Sequence, residues 1–159
     1  MIWRQGFGYA DRATQAAPAP ETMYGIASVS KILATVAAMK FVDNGKVQLD
    51  APVTRYIPSF TMLSPSYQEI TVRLLLDHSS GFPGSDYNND DTTVYFPGYL
   101  AQVMATLAES RLKTTPGYMS AYCNDGFALV EALVANVTGS FLLLYAPAGT
   151  SSVVTVAAG

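Results

Sequence analysis

The sequence predicts one α+β domain over residues 1–159, with helices in the middle of the chain and strand character at its two ends. Four middle segments show helical periodicity or helix-capping residues, whereas the ends carry aromatic residues and a β-prone tail. Half of the chain is hydrophobic and only 13% is charged, so we expect it to fold around a core.

The first two predicted elements are a strand and a long helix. The segment "IWRQGFGYAD" alternates imperfectly and carries Trp, Phe and Tyr, which favours a strand. After a loop rich in Ala and Pro, a helix is predicted from about Ser28 to Asn44, and Gly45 suits a left-handed C-terminal cap. Apolar residues of this helix recur near one face: Ile32, Leu33, Val36, Met39 and Val42.

Three further helices are predicted downstream. The segment "ITVRLLLDHSSG" indicates a short helix that is capped by Thr71 and ends near Gly81. A third helix is predicted in "PGYLAQVMATLAESR", with Pro97 in its first turn, and a fourth in "FALVEALVANVTG", ending at Gly139. A β-prone strand is expected in the tail that follows.

The composition argues against several classes of function. The net charge is −3 and the nine basic residues are scattered, which is unlike a nucleic-acid surface. No segment offers about 18 or more uninterrupted apolar residues, so no transmembrane helix is expected. The N-terminus lacks the apolar core of a signal peptide. A single cysteine and a single histidine argue against a zinc site and exclude an intrachain disulfide.

The candidate chemistry begins with Ser28 and Lys31 at the start of the first helix. Residues three apart lie on one helix face, about 5–6 Å apart between Cβ atoms, so the lysine amine could take the serine proton. The helix N-terminus would also direct the backbone N–H of Ser28 toward a developing oxyanion. The alternative is an ordinary helix cap. A second Ser-x-x-Lys pattern, Ser110 to Lys113, is interpreted as a solvated helix C-terminus.

A second candidate group lies in the loop before the fourth helix. Tyr122 could pass protons near a serine and a lysine, and the amide of Asn124 could hold a substrate carbonyl. The intervening Cys123 is interpreted as a small buried residue and not as a nucleophile. A similar pattern, Tyr87-Asn88-Asn89, lies in an acidic polar stretch and is interpreted as surface.

Three ordered blocks of the sequence carry a resemblance to a known family. The blocks "YGIASVSKILATVAAMKFVDNGKVQLDAPVTRYIPSF", "ITVRLLLDHSSGFPG" and "PGYMSAYCNDGFALVEALVANVTG" resemble the serine β-lactamase and penicillin-binding protein family. The closest likeness is to its class C-like branch of β-lactamases, D-alanyl-D-alanine carboxypeptidases and esterases. The resemblance covers about Ile2 to Gly139.

The resemblance implies a β-lactamase/transpeptidase-like fold and an acyl-transfer mechanism without a cofactor. It implies that Ser28 is the acylated nucleophile, Lys31 its base partner, Tyr122 the proton shuttle and Asn124 the substrate-binding amide. The substrate would be a β-lactam, a D-Ala-D-Ala peptide of peptidoglycan or an ester. An extracytoplasmic location, periplasmic or secreted, is also implied. His78, the sole histidine, would have a structural role at the end of a short helix.

The family's third motif, a Lys-Thr-Gly or His-x-Gly strand, is not found in this sequence. The chain is therefore expected to hold mainly the helical subdomain with part of the antiparallel sheet. Ile32, Leu33 and Val36 would then lack a covering surface, which favours self-association. Two alternatives to an enzyme stay open: a sensor module that is acylated by penicillin, and a catalytically inactive relative or fragment.

Overall fold

The computed structural model describes residues 5–22, 24, 26–85 and 98–139. These residues form four α-helices and three short 3₁₀ turns, and the only β-type pairing among them is two isolated bridges. The helices are α1 (Ser30–Asp43), α2 (Val72–Leu76), α3 (Tyr99–Ala108) and α4 (Asn124–Thr138). Every helix in this part of the chain falls short of the length and apolarity that a membrane span requires.

The predicted N-terminal strand is wrong for the part of that segment that the structure describes. Gly8 has a φ of 71°, which is not an extended conformation, and the chain bends there. Phe7 and Tyr9 are exposed by 73% and 59%. A strand needs a partner strand to hold it, and the aromatic residues of this segment find none among the described residues. The strand predicted in the tail after Gly139 lies outside the described residues.

The first helix begins two residues later than the sequence predicts. Ala27–Val29 form a 3₁₀ turn that leads directly into α1, so Ser28 lies in this turn. The C-terminal end is as predicted, because Gly45 has a φ of 75° and its N–H donates to the carbonyl of Val42 at 3.0 Å.

The buried face of α1 is a different face from the one that carries Ile32, Leu33 and Val36. The buried residues are three alanines and a phenylalanine: Ala34, Ala37, Ala38 and Phe41. Ile32, Leu33 and Val36 are exposed by 63%, 42% and 62%. The helix is apolar on several sides, so periodicity alone does not select a face. The alanines belong to the hydrophobic core, and α1 packs on α4.

The central element is α4, which contacts each of the other three α-helices. Every residue from Asp125 to Val134 except Glu131 is buried, as expected for a helix surrounded by other elements. It begins at Asn124, three residues before the predicted Phe127, and ends where predicted, with Gly139 at a φ of 70°. Because α4 starts directly after Tyr122, its packing positions that residue.

The two remaining helices are shorter than predicted. The hydroxyl of Thr71 accepts a hydrogen bond from the N–H of Leu74 at 3.3 Å, so the predicted cap of α2 is confirmed. However, α2 ends at Leu76, because the chain turns at His78 with a φ of 61°. The start predicted for α3 at Pro97 lies outside the described residues, and α3 ends at Ala108, before Ser110.

Candidate active site

The backbone just before Ser28 adopts a conformation that is unusual for its residue type. Ala27 has a φ of 42°, a left-handed value that costs a non-glycine residue about 1–2 kcal/mol. The N–H of Val29 donates to the carbonyl of Ile26 at 3.0 Å and closes the 3₁₀ turn around this residue. The turn leaves Ser28 exposed at the surface end of α1. Strain of this kind is common where a side chain must be held in a functional position.

The side chains of Ser28, Lys31 and Tyr122 meet in one cluster. The Oγ of Ser28 lies 2.6 Å from the hydroxyl of Tyr122, 94 residues away in the sequence. The Nζ of Lys31 donates a hydrogen bond to the same Oγ at 3.2 Å. The amine also lies 4.9 Å from the centroid of the Tyr122 ring and 5.7 Å from that of Phe127. The convergence expected from the sequence is therefore confirmed, whereas the catalytic roles of these residues stay a proposal.

Tyr122 lies in a loop that is hydrogen-bonded to the turn after α2. The N–H of Gly117 donates to the carbonyl of Ser79 at 2.8 Å, and the hydroxyl of Ser120 donates to the carbonyl of Asp77 at 2.9 Å. The N–H of Ala121 donates to the carbonyl of His78 at 2.8 Å. These hydrogen bonds restrain the loop at several positions before Tyr122, so they fix where the loop approaches α1.

The imidazole of His78 also lies in this region, packed between two aromatic rings. Its ring centroid is 4.6 Å from that of Tyr122 and 5.2 Å from that of Phe127. Its Nδ1 accepts a hydrogen bond from the N–H of Cys123 at 3.2 Å. Burial lowers the pKa of His78, and the nearby charge of Lys31 lowers it further. These contacts have no local signal in the sequence, because they join residues about 45 positions apart.

Asn124 and Cys123 complete the loop at the start of α4. The N–H of Asn124 donates to the hydroxyl of Ser85 at 2.6 Å, and its side-chain oxygen is buried. Asn124 therefore lies two residues from Tyr122 at the beginning of the helix, where the sequence expects a substrate-binding amide. Cys123 is buried, and burial raises the pKa of its thiol, which favours the predicted packing role.

Two other patterns from the sequence analysis have structural roles. The hydroxyl of Ser110 donates to the carbonyl of Thr106 at 2.7 Å, so it provides a hydrogen-bond donor for a carbonyl in the last turn of α3. The backbone N–H of Lys113 donates to the carbonyl of Gly81 at 2.8 Å. These contacts support the interpretation of the second Ser-x-x-Lys as a helix end. The pattern Tyr87-Asn88-Asn89 lies outside the described residues.

Exposed apolar side chains lie next to the cluster on α1 and the turn before it. We call them the apolar face of α1: Ile26, Val29, Ile32, Leu33 and Val36, each exposed by more than 40%. The exposure predicted for Ile32, Leu33 and Val36 is therefore confirmed. Isolated surface apolar residues are ordinary, but a continuous group on one helix indicates a surface that another segment or molecule covers.

Comparison with known proteins identifies the same fold. The family model described as Beta-lactamase matches residues 1–145. Protein flp of Staphylococcus aureus is 30% identical over 139 residues, which are 87% of this chain and 28% of that protein. The solved structure of EstCE1, a hydrolase with promiscuous acyltransferase activity, has a TM-score of 0.70 and 28% identity and covers 82% of this chain and 37% of its own.

A second solved structure is the octameric penicillin-binding protein homologue from Pyrococcus abyssi. It has a TM-score of 0.66 and 29% identity, and it covers 87% of this chain and 32% of its own. The chain thus spans 28% of the Staphylococcus aureus protein and 37% and 32% of the two solved chains. The predicted β-lactamase/transpeptidase-like fold is confirmed, and the described residues represent its helical part. The chain belongs to the beta-lactamase family and shares its fold with a hydrolase of known structure.

Proposed function

We propose that this chain carries the acylation site of a serine hydrolase, with Ser28 as the nucleophile. The observation that carries the proposal is the position of the Ser28 hydroxyl, 2.6 Å from the phenol of Tyr122 and 3.2 Å from the amine of Lys31. A serine hydroxyl is a weak nucleophile unless a neighbouring group takes its proton, and both neighbours lie within reach.

The contacts of the Ser28 hydroxyl suggest a route for its proton. Lys31 donates to the Oγ of Ser28, and either hydroxyl of the Ser28–Tyr122 pair can donate to the other, so Ser28 can present its hydrogen to the oxygen of Tyr122. Tyr122 then accepts this proton while it passes its own hydroxyl proton toward the leaving group, and Lys31 holds the Oγ of Ser28. The amine lies against the ring at 4.9 Å, a distance at which a cation stabilises an aromatic system.

The reaction has two balanced steps. In the first, the Oγ of Ser28 bonds to the substrate carbonyl carbon, and the bond from that carbon to the leaving nitrogen or oxygen breaks. The proton that Ser28 loses passes through Tyr122 to the leaving group. In the second, a water molecule hydrolyses the acyl ester and restores the serine. In this proposal the backbone N–H of Ser28 is one donor to the oxyanion, and the family resemblance assigns the amide of Asn124 to the substrate.

The substrate class that we propose is a β-lactam, a D-Ala-D-Ala peptide or an ester. It is supported by the family and by the likeness to EstCE1, which acts as a hydrolase and acyltransferase. The proposed chemistry uses groups of the protein itself and needs no metal or organic cofactor. An extracytoplasmic location is part of this proposal, since a peptidoglycan peptide would be met there.

Covalent labelling tests the proposal. A fluorescent penicillin or a fluorophosphonate should modify the full-length protein at Ser28, and Ser28→Ala should abolish the modification. Ser110→Ala is the matched control, because it alters the second Ser-x-x-Lys, and it should label normally. Equal labelling of the two variants would overturn the assignment of the nucleophile.

Burst kinetics on the same protein separates an enzyme from its alternatives. With a chromogenic β-lactam or ester, an enzyme gives a burst followed by continued turnover. A penicillin-binding sensor gives a stoichiometric burst alone, and an inactive relative gives neither. The last outcome, together with an unlabelled Ser28, would reject the acylation site.

A further inference from the structure

We propose that His78 is a positioning residue that holds Tyr122 against Ser28 by accepting a hydrogen bond from the backbone of the Tyr122 loop. The inference rests on the proposed function, because it assigns His78 to the same acylation site. It goes beyond a structural role at a helix end, since it links one imidazole nitrogen to the placement of the proton shuttle.

The first support is that both neighbours of Tyr122 in the sequence bond to this one residue. The N–H of Ala121 donates to the His78 carbonyl at 2.8 Å, and the N–H of Cys123 donates to the His78 Nδ1 at 3.2 Å. The backbone of Tyr122 is therefore held from both sides. Only the second bond depends on the identity of the side chain, so it is the one that a substitution can remove.

The second support is the ring contact behind the phenol. The imidazole of His78 lies 4.6 Å from the Tyr122 ring at an angle of 39°, and 5.2 Å from the Phe127 ring. Tyr122 has one face toward this imidazole and its hydroxyl 2.6 Å from Ser28. Tyr122 is exposed by 54%, and the imidazole limits the movement of its ring on the side of the loop.

The third support is the charge environment, which keeps the imidazole neutral and therefore able to accept the hydrogen bond from Cys123. An accepting Nδ1 requires the neutral ring with its proton on Nε2, since the protonated ring has two donors. The charged groups near His78 are Lys31 from α1 and Asp77 from the end of α2, while α4 presents the apolar ring of Phe127. Partial burial and the cation of Lys31 lower the pKa of His78, so the neutral form persists below its ordinary value of 6.5.

The fourth support is the backbone conformation at this position. His78 has a φ of 61°, a left-handed value that glycine and asparagine adopt more easily than most residues. The turn alone therefore does not require histidine. The side chain instead supplies an acceptor that reaches the N–H of Cys123 in the neighbouring loop.

The left-handed turn offers a matched pair of variants for the test. His78→Asn keeps an acceptor oxygen near the position of Nδ1 and does not titrate, whereas His78→Gly removes the side chain. Both residues tolerate the observed φ, and both retain the backbone bond to Ala121. The rate of fluorophosphonate labelling at Ser28 is measured from pH 4.5 to 8 in the full-length protein, with a thermal melt of each variant at every pH.

We expect His78→Gly to label about tenfold to a hundredfold more slowly, because misplacing a reacting group by about 1 Å can cost a hundredfold. His78→Asn should stay within about threefold of the native rate at neutral pH. The native rate should fall as the pH drops through the pKa of His78, and His78→Asn should lack this fall. A residue that only supports folding would change the melts but leave the pH profile of the folded protein unaltered.

Three outcomes would overturn the inference. Native labelling at Ser28 with an unaffected His78→Gly rate would reject the positioning role while leaving the proposed function intact. If the labelling rate of His78→Asn falls at low pH as the native rate does, the dependence of the rate on the imidazole is rejected. This comparison remains measurable if His78→Gly does not fold. A native protein that is not labelled at Ser28 at any pH would reject the proposed function and this inference together.

Discussion

The substitution Tyr122→Phe isolates the contribution of one oxygen atom to the proposed chemistry. It removes the hydroxyl that lies 2.6 Å from the Oγ of Ser28 and leaves the ring. The contacts of the ring with His78 at 4.6 Å and with the amine of Lys31 at 4.9 Å are both retained. Lys31 also still reaches Ser28, so the variant tests the proton shuttle and not the position of the loop.

The expected effects on rate and on stability differ greatly. A positioned acid–base group contributes about 10²–10⁴-fold, so acylation should slow by this factor, which corresponds to about 3–5 kcal/mol in the barrier. The loss of stability should be small, about 0.5 kcal/mol, because Tyr122 is exposed by 54% and water replaces the lost hydrogen bond. A large kinetic loss with little change in unfolding is therefore the signature of the shuttle.

The assay is the rate of labelling of Ser28 by a fluorescent penicillin or a fluorophosphonate, with urea unfolding measured in parallel. Tyr118→Phe is the matched control, since Tyr118 lies in the same loop and is exposed by 78%. It should label at the native rate. The reasoning is refuted if Tyr122→Phe also labels at the native rate, or if Tyr118→Phe loses as much activity.

Three further predictions concern the backbone, the surface and the core. Ala27→Gly should raise the free energy of unfolding in urea by about 0.5–1 kcal/mol, since glycine tolerates the φ of 42°. The same variant should slow the labelling of Ser28. A less stable variant would contradict the claim that the backbone is strained at Ala27. The isolated 159-residue chain should bind a hydrophobic dye or self-associate, and Ile32→Gln with Val36→Gln should reduce both in fluorescence and sedimentation; a monodisperse native chain with robust turnover would contradict this. Glu131 is half-buried, and this partial desolvation raises its pKa from 4.5 to about 7, so the fold retains a proton that the unfolded chain releases, and stability should decline as the pH rises from about 4.5 to 7. Glu131→Gln should flatten that decline in melts across this range, and an unchanged slope would exclude Glu131 as its cause.

Local signals in the sequence located three of the helix termini. Thr71 caps α2, and Gly45 and Gly139 end α1 and α4, because capping depends on residues within one or two turns. The pairing of Ser28 with Lys31 was predictable for the same reason, since residues three apart on a helical turn lie near each other.

Long-range contacts were less accessible from the sequence. The approach of Tyr122 to Ser28 was expected only through the family resemblance, because no periodicity relates residues 94 positions apart. The exposure of Ile32, Leu33 and Val36 was expected from the missing sheet, whereas the buried alanines of α1 were not, because alanine carries no strong apolar signal. The contacts of His78 with the Tyr122 loop could not be predicted either, because they join residues about 45 positions apart.

The buried alanines of α1 have a consequence for the spacing within this site. Ser28 lies just before α1 and Tyr122 just before α4, and the two helices pack on each other. The buried face of α1 includes Ala34, Ala37 and Ala38, whose side chains are single methyl groups. We expect a larger side chain at these positions to push α1 away from its neighbours and to widen the distance between the two hydroxyl groups. The distance between Ser28 and Tyr122 is thus open to change from inside the core, one or more helical turns away.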